Sequence, residues 1–351
     1  MHPPRRSPAP APNRRRVIAA AGAFGTAALL TACGGGTGKR PGGDAKAWRF
    51  KDDRGTTAAS DTTPKTIVAY IGAAAALHDF GIECTGVFGP TKLRNGEPDV
   101  QAAGIDVDKV TVIGNAWGQF SIEKYAGLQP DLLVSTMNDA PTLWYVPEES
   151  AKKITSLAPS VGILTAKGSL THVIGRFAAL AESLGADPRA PKVTAAKKRF
   201  EAASETLRKA ARAAKSRGGI KVMAISAQEP LLYVGNPADF TDLRHYQSLG
   251  VEFVTPARTT KSGFFEELAW ENADTYDADL ILVDRRTGNL QPADLKKSKP
   301  TWAKLPAVRA GQVVSWSNEA RFSHAGYAPL MEQLAAALDK SEKTDPAEKA
   351  A

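Results

Sequence analysis

The stretch over residues 188–217 constrains the fold more than any other part of the chain. Apolar side chains recur there at alternating steps of three and four residues, at Val193, Ala196, Phe200, Ala203, Leu207, Ala210 and Ala214. This spacing predicts one amphipathic helix that packs along a single side. About 24 helical residues, at 1.5 Å each, would extend roughly 36 Å before Gly218 and Gly219 end the helix. A helix of this length is either a surface helix of one lobe or a bridge between two lobes, and we predict the bridge.

Both flanks of this helix alternate β-branched runs with helical segments. Residues 66–70 and 132–135 are predicted strands on one side, and 221–226 and 280–284 on the other, whereas 265–276 is a predicted helix. Such alternation is typical of α/β lobes with mainly parallel sheets, and 351 residues suffice for two of them. The predicted parts are an N-terminal lobe (48–187), the bridging helix (188–217), a C-terminal lobe (218–338) and a disordered charged tail (339–351).

Two segments 148 residues apart share one pattern. Glu123 is followed eight residues later by Asp131, and Glu271 is followed eight residues later by Asp279. Each aspartate directly precedes a leucine that begins a predicted buried strand. The repetition favours two lobes that are built alike, with one glutamate at an equivalent position on each.

The first 32 residues indicate export. They hold five arginines and no acidic residue, and an apolar run of 14 residues ends shortly before Cys33. Because a spanning helix needs about 20 such residues, the run predicts a signal peptide over residues 1–32. Residues 13–18, Asn-Arg-Arg-Arg-Val-Ile, resemble a twin-arginine signal, with the ordinary Sec route as the alternative.

The residues around Cys33 resemble the lipobox of bacterial lipoproteins. The sequence Leu-Thr-Ala-Cys ends at Cys33, and three glycines follow it. The resemblance implies that a lipid on Cys33 holds the protein at the extracytoplasmic face of the cell membrane. Residues 33–47 are then a flexible tether.

Charge and cysteine content narrow the possible functions. The net charge is +8, but the five arginines of the predicted signal peptide account for most of it and leave +3. So small a charge argues against nucleic-acid binding. Beside Cys33 the chain holds only Cys84, which lies in an apolar stretch and is predicted to be a small buried hydrophobe. The histidines have no paired ligand spacing, so we expect no metal site or other cofactor in the protein itself.

Four segments, taken in order, resemble the metal-chelate solute-binding proteins of ABC importers. They are residues 64–69, 74–82, 121–134 and 305–313. Members of this family bind siderophore, haem or cobalamin complexes between two Rossmann-like lobes joined by one long helix. The resemblance therefore implies an α/β fold of two Rossmann-like lobes bridged by the helix at 188–217. We expect a monomer, and because the bridge is stiff, only a small movement of the lobes on binding.

The resemblance also implies a partner. In this family one glutamate on each lobe docks into arginine pockets of the permease, and the matching positions here are Glu123 and Glu271. The alternative is that each is simply a solvated helix residue. The implied partners are thus an ABC permease and, through Cys33, the membrane.

Loops that follow the predicted strands should form the ligand site, because open α/β sheets bind ligands at the carboxyl ends of their strands. An iron chelate needs flat apolar surface for its organic backbone and arginine donors for its oxygen atoms. The residues expected to supply these are Tyr70, Trp117, Trp144, Tyr233, Arg258, Arg285, Trp316, Arg321 and Phe322. Each aromatic ring could instead pack within its lobe, and Arg285 and Arg286 could form surface ion pairs.

The predicted ligand is a ferric siderophore of the hydroxamate type, because no dense basic cluster awaits a strongly anionic catecholate. Haem or cobalamin is the alternative within the family.

An exported serine hydrolase is the alternative of another class, since residues 121–124 and 150–153 fit Ser-x-x-Lys and residues 261–263 resemble Lys-Thr-Gly. No Ser-x-Asn lies between these motifs, so we predict that the protein is not an enzyme.

Overall fold

The structure is a computed structural model that describes residues 47–93 and 96–345. The predicted signal peptide, Cys33 and the tether up to residue 46 lie outside the described residues, as do residues 346–351. In the described part of the chain, no helix is both long enough and apolar enough to cross a membrane.

A β-hairpin comes first, formed by β1 (Trp48–Lys51) and β2 (Thr57–Ser60) in antiparallel pairing. Its turn is held by Asp52, whose Oδ1 accepts a hydrogen bond of 3.0 Å from the backbone N–H of Arg54. The other carboxylate oxygen of Asp52 accepts from the backbone N–H of Gly162, also at 3.0 Å. One buried carboxylate therefore closes the turn and ties the hairpin to the N-terminal lobe.

The N-terminal lobe contains a parallel sheet of five strands. These are β3 (Ile67–Tyr70), β4 (Gly86–Phe88), β5 (Thr111–Gly114), β6 (Leu132–Met137) and β7 (Ser160–Leu164). They lie in the order β5-β4-β3-β6-β7. The chain passes from β3 to β4 and β5 on one side and returns to β6 on the other. The strand order thus reverses between β3 and β6, and a crevice opens outside their carboxyl ends.

Helices cover both faces of this sheet. They are α1 (Ile71–Asp79), α2 (Ile122–Gly127), α3 (Ala151–Thr155) and α4 (Leu170–Ser183), with 3-10 turns at Val100–Ala102 and Glu148–Ser150. The small side chains of α1 are buried, so its backbone lies close against the sheet. Cys84 is buried beyond α1, and burial raises the pKa of its thiol to about 12. Cys84 therefore packs as a small hydrophobe.

The long helix α5 (Pro191–Ser216) has 26 residues and lies within the predicted range of 188–217. Phe200, Leu207 and Ala214 of its apolar stripe are buried, whereas Val193 near its start is half-buried. The stripe packs on one side, as its spacing predicts.

The C-terminal lobe contains a mixed sheet of six strands. These are β8 (Lys221–Ala227), β9 (Leu232–Gly235), β10 (Glu252–Phe253), β11 (Phe265–Leu268), β12 (Leu280–Asp284) and β13 (Val313–Trp316). The central strand β8 is parallel to β12 and β10 and antiparallel to β9. On the outer sides, β11 is antiparallel to β9, and β13 is parallel to β12.

The helices of this lobe complete the architecture. They are α6 (Thr241–Ser248), α7 (Pro292–Ser298), α8 (Pro300–Lys304), α9 (Pro306–Arg309) and α10 (His324–Lys340), with a 3-10 turn at Trp270–Asn272. The bridging helix α5 packs along α10, where the Phe200 ring meets the His324 ring edge-on at 5.3 Å between centroids. An ion pair of 2.7 Å between Arg199 and Glu332 lies beside this contact. The predicted fold of two α/β lobes bridged by one long helix is confirmed.

The helix predicted over residues 265–276 is wrong, because residues 265–268 form β11 and the rest contains the 3-10 turn Trp270–Asn272 in place of an α-helix. Glu266 and Leu268 are buried and Glu267 between them is exposed, which is the alternation of a strand. The buried carboxylate of Glu266 accepts a hydrogen bond from the hydroxyl of Tyr276 and another, of 3.3 Å, from the backbone N–H of Arg258. Pairing with β9 and these bonds override the local helical tendency.

The tail is more ordered than predicted over residues 339–345. Helix α10 continues to Lys340. Beyond it, Lys343 Nζ contacts one carboxylate oxygen of Asp279 at 2.9 Å, and the backbone N–H of Thr344 donates to the other at 2.9 Å. Asp279 also accepts from the backbone N–H of Lys221 at 2.8 Å. This single carboxylate therefore fastens residues 343 and 344 to the start of β8.

Candidate functional site: a cavity between the lobes

A cavity of about 460 Å³ lies between the two lobes. Its walls come mainly from segments that follow the carboxyl ends of strands, as the sheet topology predicts. The N-terminal lobe supplies Tyr70 at the end of β3, side chains from residues 136–144 at the end of β6 and in the loop after it, and residues 165 and 166 after β7. The C-terminal lobe supplies residues 239–242 at the start of α6, side chains from residues 262–265, Arg286 after β12, and side chains from residues 318–322 after β13.

Arg286 contributes a guanidinium group to the cavity wall. Its Nε donates to Asp284 Oδ2 at 2.8 Å, and its Nη1 donates to Glu319 Oε1 at 2.6 Å. Asp284 is fully buried and also accepts a hydrogen bond of 2.6 Å from the hydroxyl of Ser226. Burial lowers the pKa of Arg286, but the two carboxylates more than offset it, so its pKa is raised and the side chain stays charged.

Glu319 receives donors from both lobes. Its Oε2 accepts a hydrogen bond of 2.5 Å from the hydroxyl of Tyr70, another from Gln101 Nε2, and a long one of 3.4 Å from Trp144 Nε1. Burial raises the pKa of Tyr70 well above its usual value, and the carboxylate of Glu319 raises it further. Tyr70 therefore stays protonated and donates. One carboxylate of the C-terminal lobe is thus held by three side chains of the N-terminal lobe and by Arg286.

Four aromatic rings run from this cluster toward the surface. The ring of Tyr145 stacks on Tyr70 at 5.4 Å between centroids, and Trp144 meets Tyr145 edge-on at 5.7 Å. Trp117 meets Trp144 edge-on at 4.9 Å and is 60% exposed. Tyr145 has a φ of 61°, a left-handed backbone conformation that a tyrosine adopts only when its surroundings impose it. The run gives a large ligand flat apolar surface that continues out of the cavity.

The opposite wall is also aromatic. Phe240 meets Phe265 at 5.0 Å and Phe264 at 5.3 Å between centroids. Behind them the ring of Trp316 meets Phe240 edge-on at 4.9 Å. Phe322 stacks on Phe177 of the N-terminal lobe at 6.2 Å. Apolar rings thus face a small number of directed polar groups, an arrangement typical of small-molecule sites.

Three of the predicted ligand residues, Tyr70, Trp144 and Phe322, line the cavity. Trp117 lies outside it but touches Trp144. Trp316 is buried behind the wall, where its Nε1 donates to the carboxylate of Asp242, a residue of the wall.

Four other predicted ligand residues are not among the side chains that line the cavity. Arg285 is exposed, and its neighbour Arg286 points inward instead. Arg258 is exposed beside β11. Tyr233 lies on β9 against Phe265, at 5.9 Å between ring centroids. Arg321 forms an ion pair with Asp79 of α1 and therefore joins the lobes beside the cavity rather than inside it.

Sequence reasoning missed Glu319 and Asp242, and of the two arginines that follow β12 it selected Arg285 rather than Arg286. Aromatic and arginine side chains alone were expected at the site, although Glu319 lies in the same loop as Arg321. The signal for Glu319 is its position in a loop that follows a strand, because a buried arginine needs an acceptor.

The two glutamates at equivalent positions are both exposed. Glu123 lies in the first turn of α2, whose N-cap is Ser121; the Ser121 hydroxyl accepts from the backbone N–H of Lys124 at 3.3 Å. An acidic side chain is favourable there because of the helix dipole. Glu271 lies in the 3-10 turn Trp270–Asn272. The Ser-x-x-Lys motif at residues 121–124 is thus a helix cap.

Within residues 47–93 and 96–345, no group of three His, Cys, Asp or Glu side chains is arranged to hold a metal ion.

Comparison with known proteins gives a family and related folds. Residues 69–320 match the family described as periplasmic binding protein. The crystal structure of DesE, a ferric-siderophore receptor protein from Streptomyces coelicolor, is 49% identical and has a TM-score of 0.81, over 85% of this chain and 100% of that one. No curated protein matches the chain.

More distant structures share the fold alone. The petrobactin-binding protein YclQ from Bacillus subtilis is 16% identical, with a TM-score of 0.62 over 84% of this chain and 99% of its own. SirA from Staphylococcus aureus, complexed with staphyloferrin B, is 18% identical, with a TM-score of 0.57 over 84% of this chain and 99% of its own.

Proposed function

The chain belongs to the periplasmic binding protein family, and from this premise we propose that it captures a ferric siderophore in the cavity between its lobes. The observation that carries the proposal is the cavity itself, which combines aromatic walls with a converging set of donors around Arg286 and Tyr70. The 49% identity to a ferric-siderophore receptor protein supports the same ligand class. The chelator supplies the ligands of the iron, so the protein needs no cofactor of its own.

The charge of the cavity favours a hydroxamate siderophore. Three hydroxamates balance the charge of Fe³⁺, whereas three catecholates leave the complex strongly anionic. Among the described residues the lining holds one arginine, and that arginine is already paired with two carboxylates. The acidic residues of the lining are Asp139, Asp239, Asp242 and Glu319. A strongly anionic complex would meet like charge here, which costs affinity.

Delivery to a membrane importer completes the proposed function. Siderophore-binding proteins of this family work with ABC transporter permeases. Here Glu123 and Glu271 are the proposed docking residues, because both are exposed and one lies on each lobe. Cleavage after residue 32 and a lipid on Cys33 would keep the protein, as a monomer, at the extracytoplasmic face of the membrane. The family's extracytoplasmic location agrees with this arrangement.

Quenching of tryptophan fluorescence tests the ligand class, because Trp144 lines the cavity. The soluble chain from residue 34 onward would be titrated with ferric hydroxamates, a ferric catecholate, haem and cobalamin. We expect saturable quenching by a ferric hydroxamate and a smaller signal in Trp144→Phe. The iron-free hydroxamate is the control for chelate recognition. Saturable binding of haem, cobalamin or the catecholate alone would refute the hydroxamate assignment.

A further inference from the structure

We propose that Glu319 competes with the ligand, so that its carboxylate occupies in the free protein the donors that bind a chelate's oxygen atoms. The inference rests on the proposed function and assigns Glu319 a role in setting affinity. A carboxylate and a hydroxamate each present a pair of neighbouring oxygen acceptors, so Glu319 can take the place of one hydroxamate group.

Tyr70 and Gln101 of the N-terminal lobe donate all of their side-chain protons to acceptors within the cluster around Glu319. The Tyr70 hydroxyl has one proton, and it is donated to Glu319 Oε2 at 2.5 Å. The amide nitrogen of Gln101 has two, of which one goes to Glu319 and one to the Tyr70 oxygen at 3.1 Å. A ligand oxygen can therefore receive the Tyr70 proton only if Glu319 gives it up.

An unpartnered oxygen of Gln101 also supports this competition. Its Oε1 is buried and has no hydrogen-bond partner among the described residues. A buried acceptor left without a partner is costly, by about 1–3 kcal/mol. The cluster around Glu319 is therefore less stable than a fully satisfied network would be.

The loop that carries Glu319 is anchored at both ends, by Trp316 of β13 before it and by contacts with Asp79 after it. Arg321 and Ser323, a few residues further on, both donate to the carboxylate of Asp79 on α1. The Asp79 contacts do not involve the cavity lining, so they can persist while Glu319 turns away. Ligand binding would then replace the hydrogen bond between Glu319 and Tyr70, which links the lobes, with contacts to the ligand. The contacts of Asp79 with Arg321 and Ser323 would keep the two lobes in their relative positions.

Variants at Glu319 test the competition through affinity. Glu319→Ala removes the competing acceptor, and we expect it to bind the ferric hydroxamate about tenfold more tightly, since charge-assisted bonds no longer have to be broken. Glu319→Gln keeps the shape without the charge and should give a smaller gain. Asp139→Asn is the matched control, because it also removes one carboxylate of the cavity lining but leaves the Tyr70 donors occupied. An equal gain in Asp139→Asn would mean that general charge, not competition, is responsible.

Weaker binding by Glu319→Ala, at unchanged thermal stability, would overturn the proposal, because Glu319 would then hold the ligand. If neither the wild type nor Glu319→Ala binds any chelate of the panel, the proposed function fails. If both bind with equal affinity, only the competition fails.

Hydrogen exchange of the wild type gives a second test that needs no variant. Saturation with a ferric hydroxamate should speed amide exchange over residues 317–320, which carry Glu319, and leave residues 321–323 at the Asp79 anchor unchanged. Slower exchange over residues 317–320 in the bound state would contradict the release of Glu319.

Discussion

Trp316 Nε1 donates a hydrogen bond of 2.7 Å to Asp242 Oδ2, so a buried indole at the end of β13 fixes a buried carboxylate at the start of α6. Asp242 lines the cavity, whereas Trp316 lies behind its wall. Burial raises the pKa of Asp242 to about 6, although the Trp316 bond and backbone N–H groups lower it in part. The pair therefore supplies the cavity with a carboxylate that titrates in a mildly acidic medium.

The first prediction concerns stability against pH. The pKa of Asp242 is about 6 in the folded state against a usual 3.8, so between these values the folded state binds more protons than the unfolded state. The free energy of unfolding should therefore fall as the pH rises from 4 to 6, by up to roughly 3 kcal/mol for this group, and level off above. Urea unfolding of the wild type and of Asp242→Asn across this range measures the difference. The prediction is wrong if the two proteins show the same slope.

The second prediction separates two neighbouring arginines. Arg286→Lys retains the positive charge but loses the planar fork of N–H donors that the ligand's oxygen atoms would use once Glu319 releases it, so affinity for the ferric hydroxamate should fall about tenfold or more. Arg285→Lys is the matched control, because Arg285 is exposed and does not line the cavity. Fluorescence titration of both variants measures the effect. Equal losses in the two variants would remove Arg286 from the ligand site.

The third prediction concerns the ion pair that joins the lobes. The carboxylate of Asp79 is 7% exposed, so Arg321→Ala leaves a buried charge with fewer partners and should lower the free energy of unfolding by about 3 kcal/mol. Asp79→Asn and the double variant complete a thermodynamic cycle. We expect a coupling energy above about 1 kcal/mol between the two positions. Additive effects would show that the pair does not stabilise the contact between the lobes.

The fourth prediction separates docking from binding. Glu123→Ala and Glu271→Ala should leave affinity for the ferric siderophore unchanged, because both side chains are exposed and neither lines the cavity. Uptake of radioactive iron from the siderophore by cells should fall in each variant and be lost in the double variant. Glu267→Ala is the control, since Glu267 is an exposed glutamate of β11. Full uptake by the double variant would exclude these residues from docking.

The sequence predicts the elements whose pattern is local. Helix α5 lies inside its predicted range because the apolar stripe marks its buried side directly. Tyr70 reaches the cavity because it ends a run of β-branched residues, and the ends of parallel strands face the ligand. The burial of Cys84 follows from its apolar neighbours in the same way.

The contacts that build the site are not local and could not be predicted. Tyr70 and Glu319 are 249 residues apart, and their bond exists only when both lobes are assembled. The inward arginine is Arg286 and not Arg285, because the chain turns after β12 and the fully buried Asp284 attracts the guanidinium two residues further on. Composition alone cannot tell which of two adjacent arginines follows that turn.

The hairpin of β1 and β2 decides how the molecule bears a mechanical load. A pull on the chain at residue 47 reaches β1 first, where Trp48 Nε1 bonds to Ser183 of α4 at 3.1 Å. The turn then transfers the force to the outer strand β7, through Asp52 to Gly162 and through Asp53 to the backbone N–H of Leu164 at 2.9 Å. Since β7 is the last strand of its sheet, the load enters at the edge. Tension applied at residue 47 would therefore strain the edge of the N-terminal lobe before it could distort the cavity between the two lobes.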